Sequence, residues 1–554
     1  MYLQILQQHP FLRFVGLTLA YLAALAVYRL YFSPLRKFPG PKLAAVTRLP
    51  FLWHSLNGDL IFWVQDLHSR YGEVIRIAPD ELSYSTGEAW KDIYQQLTLK
   101  DLRFYGRAHL NNIPDIIRAD NADHARFRRN FSRAFSDRAL REQEALIRQY
   151  VDLLVHKLDA VAREDPKTKV DLVRMYNFTT FDVMGDLTFG EPLGLLHGSE
   201  YNAWVSLIFA SLKTTTFLQT SRYLPWLGFL FSVLIPKSMV EKKRAHLQYC
   251  IERVDRRLAK KSPRPDIWGL VLSRPEGDDL RLSLDEMYAN SITFMIAGTE
   301  TTATLLSGLT YHLLMNPAKL ERLTREIRGA FASDEEITFA KLLQLEYLQA
   351  CLEEGLRMYP PVPVGLPRVT PPEGMLTTVS VNQWATYRNP QNFKDPNSFH
   401  PERWLSDSKS FASDKKKYLQ PFSTGPRNCL GQTRRRLILT SGSLAYHEMR
   451  LILAKVLWHF DLSLCDESAD WADQKVYMLW EKKPLMVGTV YLIVYDLTSL
   501  LPVCLSVVGL TDPSIHLSIH PSSGQVYDET STDPVTQSVK IRALHQETSL
   551  AIWR

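Results

Sequence analysis

Apolar positions along the chain fall mostly at helical spacing, and strand-like alternation is confined to short runs. The pattern predicts a mainly α protein with small β-sheets. The first apolar segment, Phe11 to Phe32, is rich in Leu, Ala, Val and Tyr and is interrupted only by Arg13 and Arg29. Its uncharged centre, Phe14 to Tyr28, is short against the roughly 20 residues of a bilayer span, but both arginines lie near its ends and can snorkel to the headgroups. Residues 1–32 therefore predict one transmembrane anchor. Arg29, Arg36, Lys37 and Lys42 crowd its C-terminal flank and place that side in the cytoplasm. A cleaved signal peptide is the alternative, with Ala24-Leu25-Ala26 as the cleavage site. Residues 33–42 follow as a proline-rich hinge.

Further along, a helix is predicted over Leu60–Tyr71, strands around Val74–Ile77 and Leu82–Tyr84, and an irregular loop over Tyr105–Asp120. Helical patterns run from Leu140 to Arg163, from Tyr176 to Phe189 and from Lys242 to Lys261. The second is apolar nearly all round and belongs in the middle of the fold. Trp204 to Ile235 is an aromatic and aliphatic run. Met287–Leu314 predicts a helix of about seven turns. Tyr347–Tyr359 predicts another, stopped by Pro360-Pro361.

A chain of 554 residues, 45% hydrophobic, can bury a large core. Its 65 Lys and Arg against 59 Asp and Glu leave a net charge of +6, too weak a bias to argue for nucleic acid. The five cysteines are odd in number, widely spaced and free of any Cys-x-x-Cys pair, which argues for a reducing compartment and against a zinc site or disulfide framework.

One cysteine stands apart. Cys429 lies in Pro421-Phe422-Ser423-Thr424-Gly425-Pro426-Arg427-Asn428-Cys429-Leu430-Gly431, a stretch whose Gly and Pro residues forbid regular helix and present the sulfur from a loop. Arg427 is a nearby cation that favours thiolate, the metal-ligating form. His124 and Arg128 share one helix face at i and i+4 and could hold a pair of carboxylates. In the long helix, Ala297-Gly298-Thr299-Glu300-Thr301-Thr302 sets Gly and β-branched residues in mid-helix, at about 0.5–1 kcal/mol each. Gly298 is read either as a site of ligand approach or as a small-residue helix crossing. Glu354 and Arg357 stand at i and i+3, and Phe399-His400-Pro401-Glu402-Arg403-Trp404 lies downstream.

The spacing Phe-x-x-Gly-x-Arg-x-Cys-x-Gly resembles the haem-ligating signature of the cytochrome P-450 superfamily. The other three segments resemble further signatures of that family in the family's order. The likeness covers roughly residues 34–486 and is greatest to fungal membrane-bound members related to trichothecene hydroxylases. It implies the cytochrome P-450 fold over residues 43–487, with haem b bound through Cys429 as metal ligand and Phe422, Gly425, Arg427 and Gly431 shaping its seat. His124 and Arg128 would then hold the haem propionates, with His124 standing where the family usually has Trp. Thr301 and Glu300 would be the catalytic oxygen-activation pair, and Glu354, Arg357 and Arg403 a buried pocket support. Val362 to Leu366 would run past the haem edge and touch substrate.

The activity implied is monooxygenation of an apolar polyketide or terpenoid at the endoplasmic reticulum membrane. Electrons would come from NADPH through a reductase, with cytochrome b5 as an optional donor. Two departures accompany the likeness: an apparent insertion at residues 433–442, directly behind the cysteine loop, and an atypical extension over residues 488–554. Each is read either as an elaboration or as translated intron sequence. The rival functions are a reductase-independent haem-thiolate isomerase or dehydratase, and an inactive membrane protein disabled by the insertion.

Overall fold

The computed structural model describes residues 10–96, 99–106, 112–165, 167–224, 237–260, 264–272, 280–370, 376–432, 443–491, 517–519 and 526–528. The insertion at 433–442 lies outside the described residues, as does most of 488–554.

Short polar residues set the starts of the long helices by satisfying their first free N–H groups. Helix α1 (Pro10–Val27) leads into a wider π turn at Tyr28–Phe32. Together, Phe11–Phe32 is the one described segment long and apolar enough to cross a membrane. Helix α2 (Leu49–Asn57) and helix α3 (Leu60–Tyr71), the latter with its predicted bounds, precede strands β1 (Val74–Ala78) and β2 (Glu81–Tyr84). After β3 (Leu99–Lys100), helix α4 (Asn121–Phe131) is capped by Asp120 and helix α5 (Asp137–Glu164) by Ser136. Strand β4 (Lys169–Asp171) ends on Asp171, which caps helix α6 (Leu172–Phe189). Helix α7 (Ala203–Tyr223) starts at Asn202.

Helix α8 (Leu284–Leu314) begins three residues before the predicted start, because Ser283 and Glu286 form a reciprocal capping box there. Helix α9 (Glu346–Met358), strands β5 (Arg368–Val369) and β6 (Thr378–Val381), and helix α10 (Leu444–His459), capped by Ser443, complete the framework of the site. Strands β7 (Phe460–Leu464), β8 (Val476–Tyr477), β9 (Leu479–Trp480) and β10 (Met486–Tyr491) follow.

Helices α6, α8, α9 and α10 bury their apolar side chains in one core. As its all-round apolar pattern predicted, α6 is buried along nearly its whole length. The larger sheet has the order β1-β2-β6-β5-β3, with β2 and β6 parallel and the other pairs antiparallel. A second, antiparallel sheet runs β4-β10-β7, so the closing strand reaches back to the segment before α6. The hinge is pinned to the larger sheet: buried Arg76 of β1 donates to the carbonyls of Arg29 (2.9 Å) and Pro79 (2.7 Å), and its own N–H bonds Pro39 O (2.8 Å). In the second unit of the chain, β11 (Leu517–Ile519) and β12 (Val526–Asp528) pair antiparallel.

Candidate active site

The cysteine loop is fastened at both shoulders. Gly425 has φ +80°, and a Cβ there would sit 2.0 Å from the carbonyl oxygen of Tyr94, so no other residue fits. Gly431 carries no such demand, since a Cβ would rest an ordinary 3.8 Å from Cys429 Sγ. The Cys429 N–H donates to Phe422 O (2.9 Å), and Arg128 of α4 donates twice to Asn428, to the carbonyl and to Oδ1, both at 2.6 Å. The Phe422 ring leans on Tyr446 of α10 with centroids 5.4 Å apart.

Burial pushes the Cys429 thiol up, while the backbone N–H groups of Gly431 and Gln432 and the charge of Arg128 pull it down. The cation acting on this thiol is thus Arg128 and not the expected Arg427. Arg427 turns away to donate to Asn121 Oδ1 (2.8 Å), and its Nη1 is buried with no partner among the described residues.

Arg427 belongs to a cationic pocket that also holds Lys100, Arg368, His124 and Arg128. Burial, then Arg368, lowers the Arg427 guanidinium to about 10. Burial, then Arg427 and Lys100, drives His124 to about 3, so its imidazole is neutral. Burial and the same arginines hold Lys100 well below its ordinary value. Nε and Nη1 of Arg368 are buried without a partner among the described residues. The nearest acids are committed elsewhere, Asp115 to Arg118 (2.5 Å) and Asp120 to the α4 cap. Several mutually repelling cations with unused N–H groups make a seat for a ligand bearing two carboxylates. The donor set therefore fits a haem carried on Cys429 with its propionates toward Arg368, Arg427 and Lys100. Lys100 and Arg368 were not predicted: each sits in a two-residue strand, too short for any pattern to single it out.

Helix α8 carries the next group of expected site residues. Thr301 and Ala297 lie four residues apart, and the Thr301 hydroxyl donates to Ala297 O (2.7 Å). Ala297 is exposed although it lies in mid-helix, and Thr301 on the same face is half-buried. Gly298 sits at a helix crossing: a Cβ there would meet Met184 Sδ of α6 at 2.7 Å, in line with the small-residue crossing. Glu300 points elsewhere as well. Its Oε1 pairs with Lys482 Nζ (2.8 Å), and Lys482 also donates to Thr304 Oγ1 (2.8 Å). One residue on, Thr302 donates to Glu448 Oε2 of α10 (3.3 Å), tying α8 to the helix behind the cysteine loop.

Glu354, Arg357 and Arg403 come together, all fully buried. Glu354 accepts from Arg357 Nη2 (2.7 Å) and Nε (2.9 Å), Arg403 Nε (3.0 Å), the His400 N–H (2.7 Å) and Trp404 Nε1 (2.9 Å). Burial alone would raise this carboxyl, but Arg357 and Arg403 hold it below its ordinary value. Two arginines against one glutamate leave an excess charge, and the structure supplies the missing anion, buried Asp414 paired to Arg403. Sequence reading missed Asp414 because it lies in an irregular segment without a motif. Of the stretch after Pro361, Val364 and Gly365 line a small pocket with Phe51, Ile61, Phe104 and Tyr223.

The family model described as Cytochrome P450 matches residues 41–488. The chain is 47% identical over 489 residues to cytochrome P450 monooxygenase efuB of Hormonema carpetanum, covering 85% of this chain and 95% of the relative. It is 48% identical to cytochrome P450 monooxygenase FUM2 of Gibberella moniliformis, covering 83% of this chain and 98% of that one. It is 40% identical to averantin hydroxylase of Dothistroma septosporum, covering 85% and 90%.

Proposed function

The chain belongs to the cytochrome P450 family and is an oxidoreductase of the monooxygenase type, and from that premise we propose that it hydroxylates or otherwise oxidises an apolar fungal secondary metabolite of polyketide or terpenoid type. Molecular oxygen is one substrate, and electrons come from NADPH through a separate reductase at the endoplasmic reticulum membrane. The observation that carries this reading is the fastened Cys429 loop beside a pocket of under-neutralised cations. Haem bound there supplies the oxygen chemistry. Phe422, Gly425 and Arg128 hold the cysteine loop, Arg427 and Arg368 would hold the propionates, and Thr301 and Glu300 would handle protons. The side chains of Phe51, Ile61, Phe104 and Val364 give a small pocket an apolar lining suited to a substrate of that class, and the N-terminal span keeps the enzyme where such a molecule partitions.

The test is the absorption spectrum of the reduced, carbon-monoxide-bound protein in microsomes, with Cys429→His and a form lacking residues 433–442 alongside. A thiolate-type Soret band in the full chain, lost in Cys429→His, is the expected result. A band only in the shortened form would show that residues 433–442 are absent from the working enzyme. No such band in either form would overturn the assignment of Cys429.

A further inference from the structure

Ten residues, 433–442, stand between Gln432 at the end of the cysteine loop and Ser443, the cap of α10. A tether of that length can span up to about 33–36 Å, so connectivity by itself does not hold the start of α10 against the loop. A side-chain contact does. Phe422, whose carbonyl takes the Cys429 N–H (2.9 Å), lays its ring 5.4 Å from that of Tyr446 in the first turn of α10. The far end of Tyr446 is pinned. Its hydroxyl donates to Glu353 Oε1 of α9 (2.9 Å), and Gln349 Nε2 donates to the same oxygen (2.7 Å). Gln349 Oε1 in turn accepts from Arg450 Nε (3.1 Å) and Nη2, and the Arg450 guanidinium lies 5.1 Å from the centre of the Tyr446 ring. Tyr446, Arg450, Gln349 and Glu353 are each at most 9% exposed. Burial and the neighbouring Glu353 carboxylate hold the Tyr446 phenol well above its ordinary range, so it stays a neutral donor.

This circuit joins one buried cation and one buried anion through an amide and a phenol, across two helices. Such an arrangement adds little stability over apolar side chains of the same volume, and fixing one register between two elements is its best-attested use. What it fixes here is the Tyr446 ring, which touches both Arg450 and Phe422. Other fastenings of the loop lead away from α10, from Gln95 Nε2 to Thr424 Oγ1 (3.3 Å) and from Arg128 to Asn428. We propose that Tyr446 is a positioning residue for the cysteine ligand: set by Glu353, Gln349 and Arg450, its ring holds Phe422, and through it Cys429, in place across the ten residues that separate loop from helix. This rests on the reading of Cys429 as the haem ligand. Without the ring, Phe422 loses its backing, the carbonyl that takes the Cys429 N–H shifts, and the sulfur is presented less firmly.

The experiment follows the rate at which the reduced, carbon-monoxide-bound, haem-loaded protein loses its thiolate-type Soret band at a fixed temperature below unfolding. The variants are Tyr446→Leu, Tyr446→Phe and, as a control, Leu457→Ala, which opens a cavity in α10 about three turns further on, at a side chain 2% exposed. Each is made in the full chain and in a form lacking residues 433–442. In the full chain, Tyr446→Leu should lose the band about tenfold faster than the parent or more, while Tyr446→Phe, which keeps the ring, stays within about threefold. Leu457→Ala should match the parent in this rate despite a lower melting temperature. In the shortened form the effect of Tyr446→Leu should shrink to about twofold, since a short connection does the same work. If Tyr446→Leu loses the band no faster than Leu457→Ala at equal distance from their melting temperatures, Tyr446 is structural and the proposal is overturned. Equal acceleration by Tyr446→Leu with and without residues 433–442 overturns it too. A band seen only in the shortened parent would show that the contact fails to hold the loop, which sinks the proposal and leaves Cys429 as ligand. No band in either parent would remove Cys429 as ligand, and the proposal with it.

Discussion

Replacing Glu448 by glutamine should flatten the pH dependence of stability. Glu448 lies on α10, 1% exposed, with Oε2 accepting from Thr302 and Oε1 buried without a partner among the described residues. Burial raises its carboxyl to about 8, against a small opposing effect of the Thr302 hydroxyl. In the unfolded chain the same group titrates near the ordinary value of about 4.3. Between those limits the folded state keeps the proton and the unfolded state releases it. The contribution is therefore fully present below the unfolded value and is lost as pH rises toward the folded one. At about 1.4 kcal/mol per pH unit, raising the pH from about 5.5 to 7.5 removes roughly 2–3 kcal/mol. Glutamine is neutral throughout and can still accept from Thr302.

Buried His68 and His447, lowered to about 4, and His124 and His312, lowered to about 3, act in the opposite sense, since their unfolded forms gain protons as pH falls below about 6.5. Both proteins share these groups, so the difference between them isolates Glu448. Thermal unfolding of the parent and Glu448→Gln at matched ionic strength across that window is the assay. The parent should lose a few degrees relative to the variant as pH rises. Parallel pH curves for the two proteins would refute the argument that Glu448 is held protonated by burial.

Three further outcomes follow from the geometry. Gly425→Ala should abolish the thiolate-type carbon monoxide band, because its Cβ meets the Tyr94 carbonyl at 2.0 Å on a backbone at φ +80°, whereas Gly431→Ala should retain it; the same spectrum in both variants checks this. Arg403→Met strands Glu354 and Asp414 as buried anions short of a partner and should destabilise the fold by about 3–5 kcal/mol, read as loss of folded, haem-loaded protein on expression and in urea unfolding. Arg368→Ala removes a buried donor from the carboxylate seat and should accelerate haem loss to apomyoglobin about tenfold or more, while leaving the Soret position of the bound form unchanged.

Much of the molecule was legible because its determinants are local. The Gly and Pro pattern around Cys429 fixes a loop whatever surrounds it, and short polar caps fix the starts of α4, α5, α6 and α8 within a few residues. The all-round apolar pattern of α6 left it nowhere to go but the core, and Glu354 and Arg357 meet because i and i+3 share a helix face.

Tertiary structure decided whatever depends on partners distant in sequence. That Gly298 packs against Met184 of α6 is visible only in the fold. Arg427 was expected as the cation at the thiol, and the packing of α4 against the loop puts Arg128 there instead. Asp414, Lys100 and Arg368 left no periodic or spaced signal, since each acts through a single side chain from a segment too short or irregular to carry one. Chain order says nothing about where such a side chain ends. Burial does, because a charge removed from water must find its counterpart wherever the fold brings it.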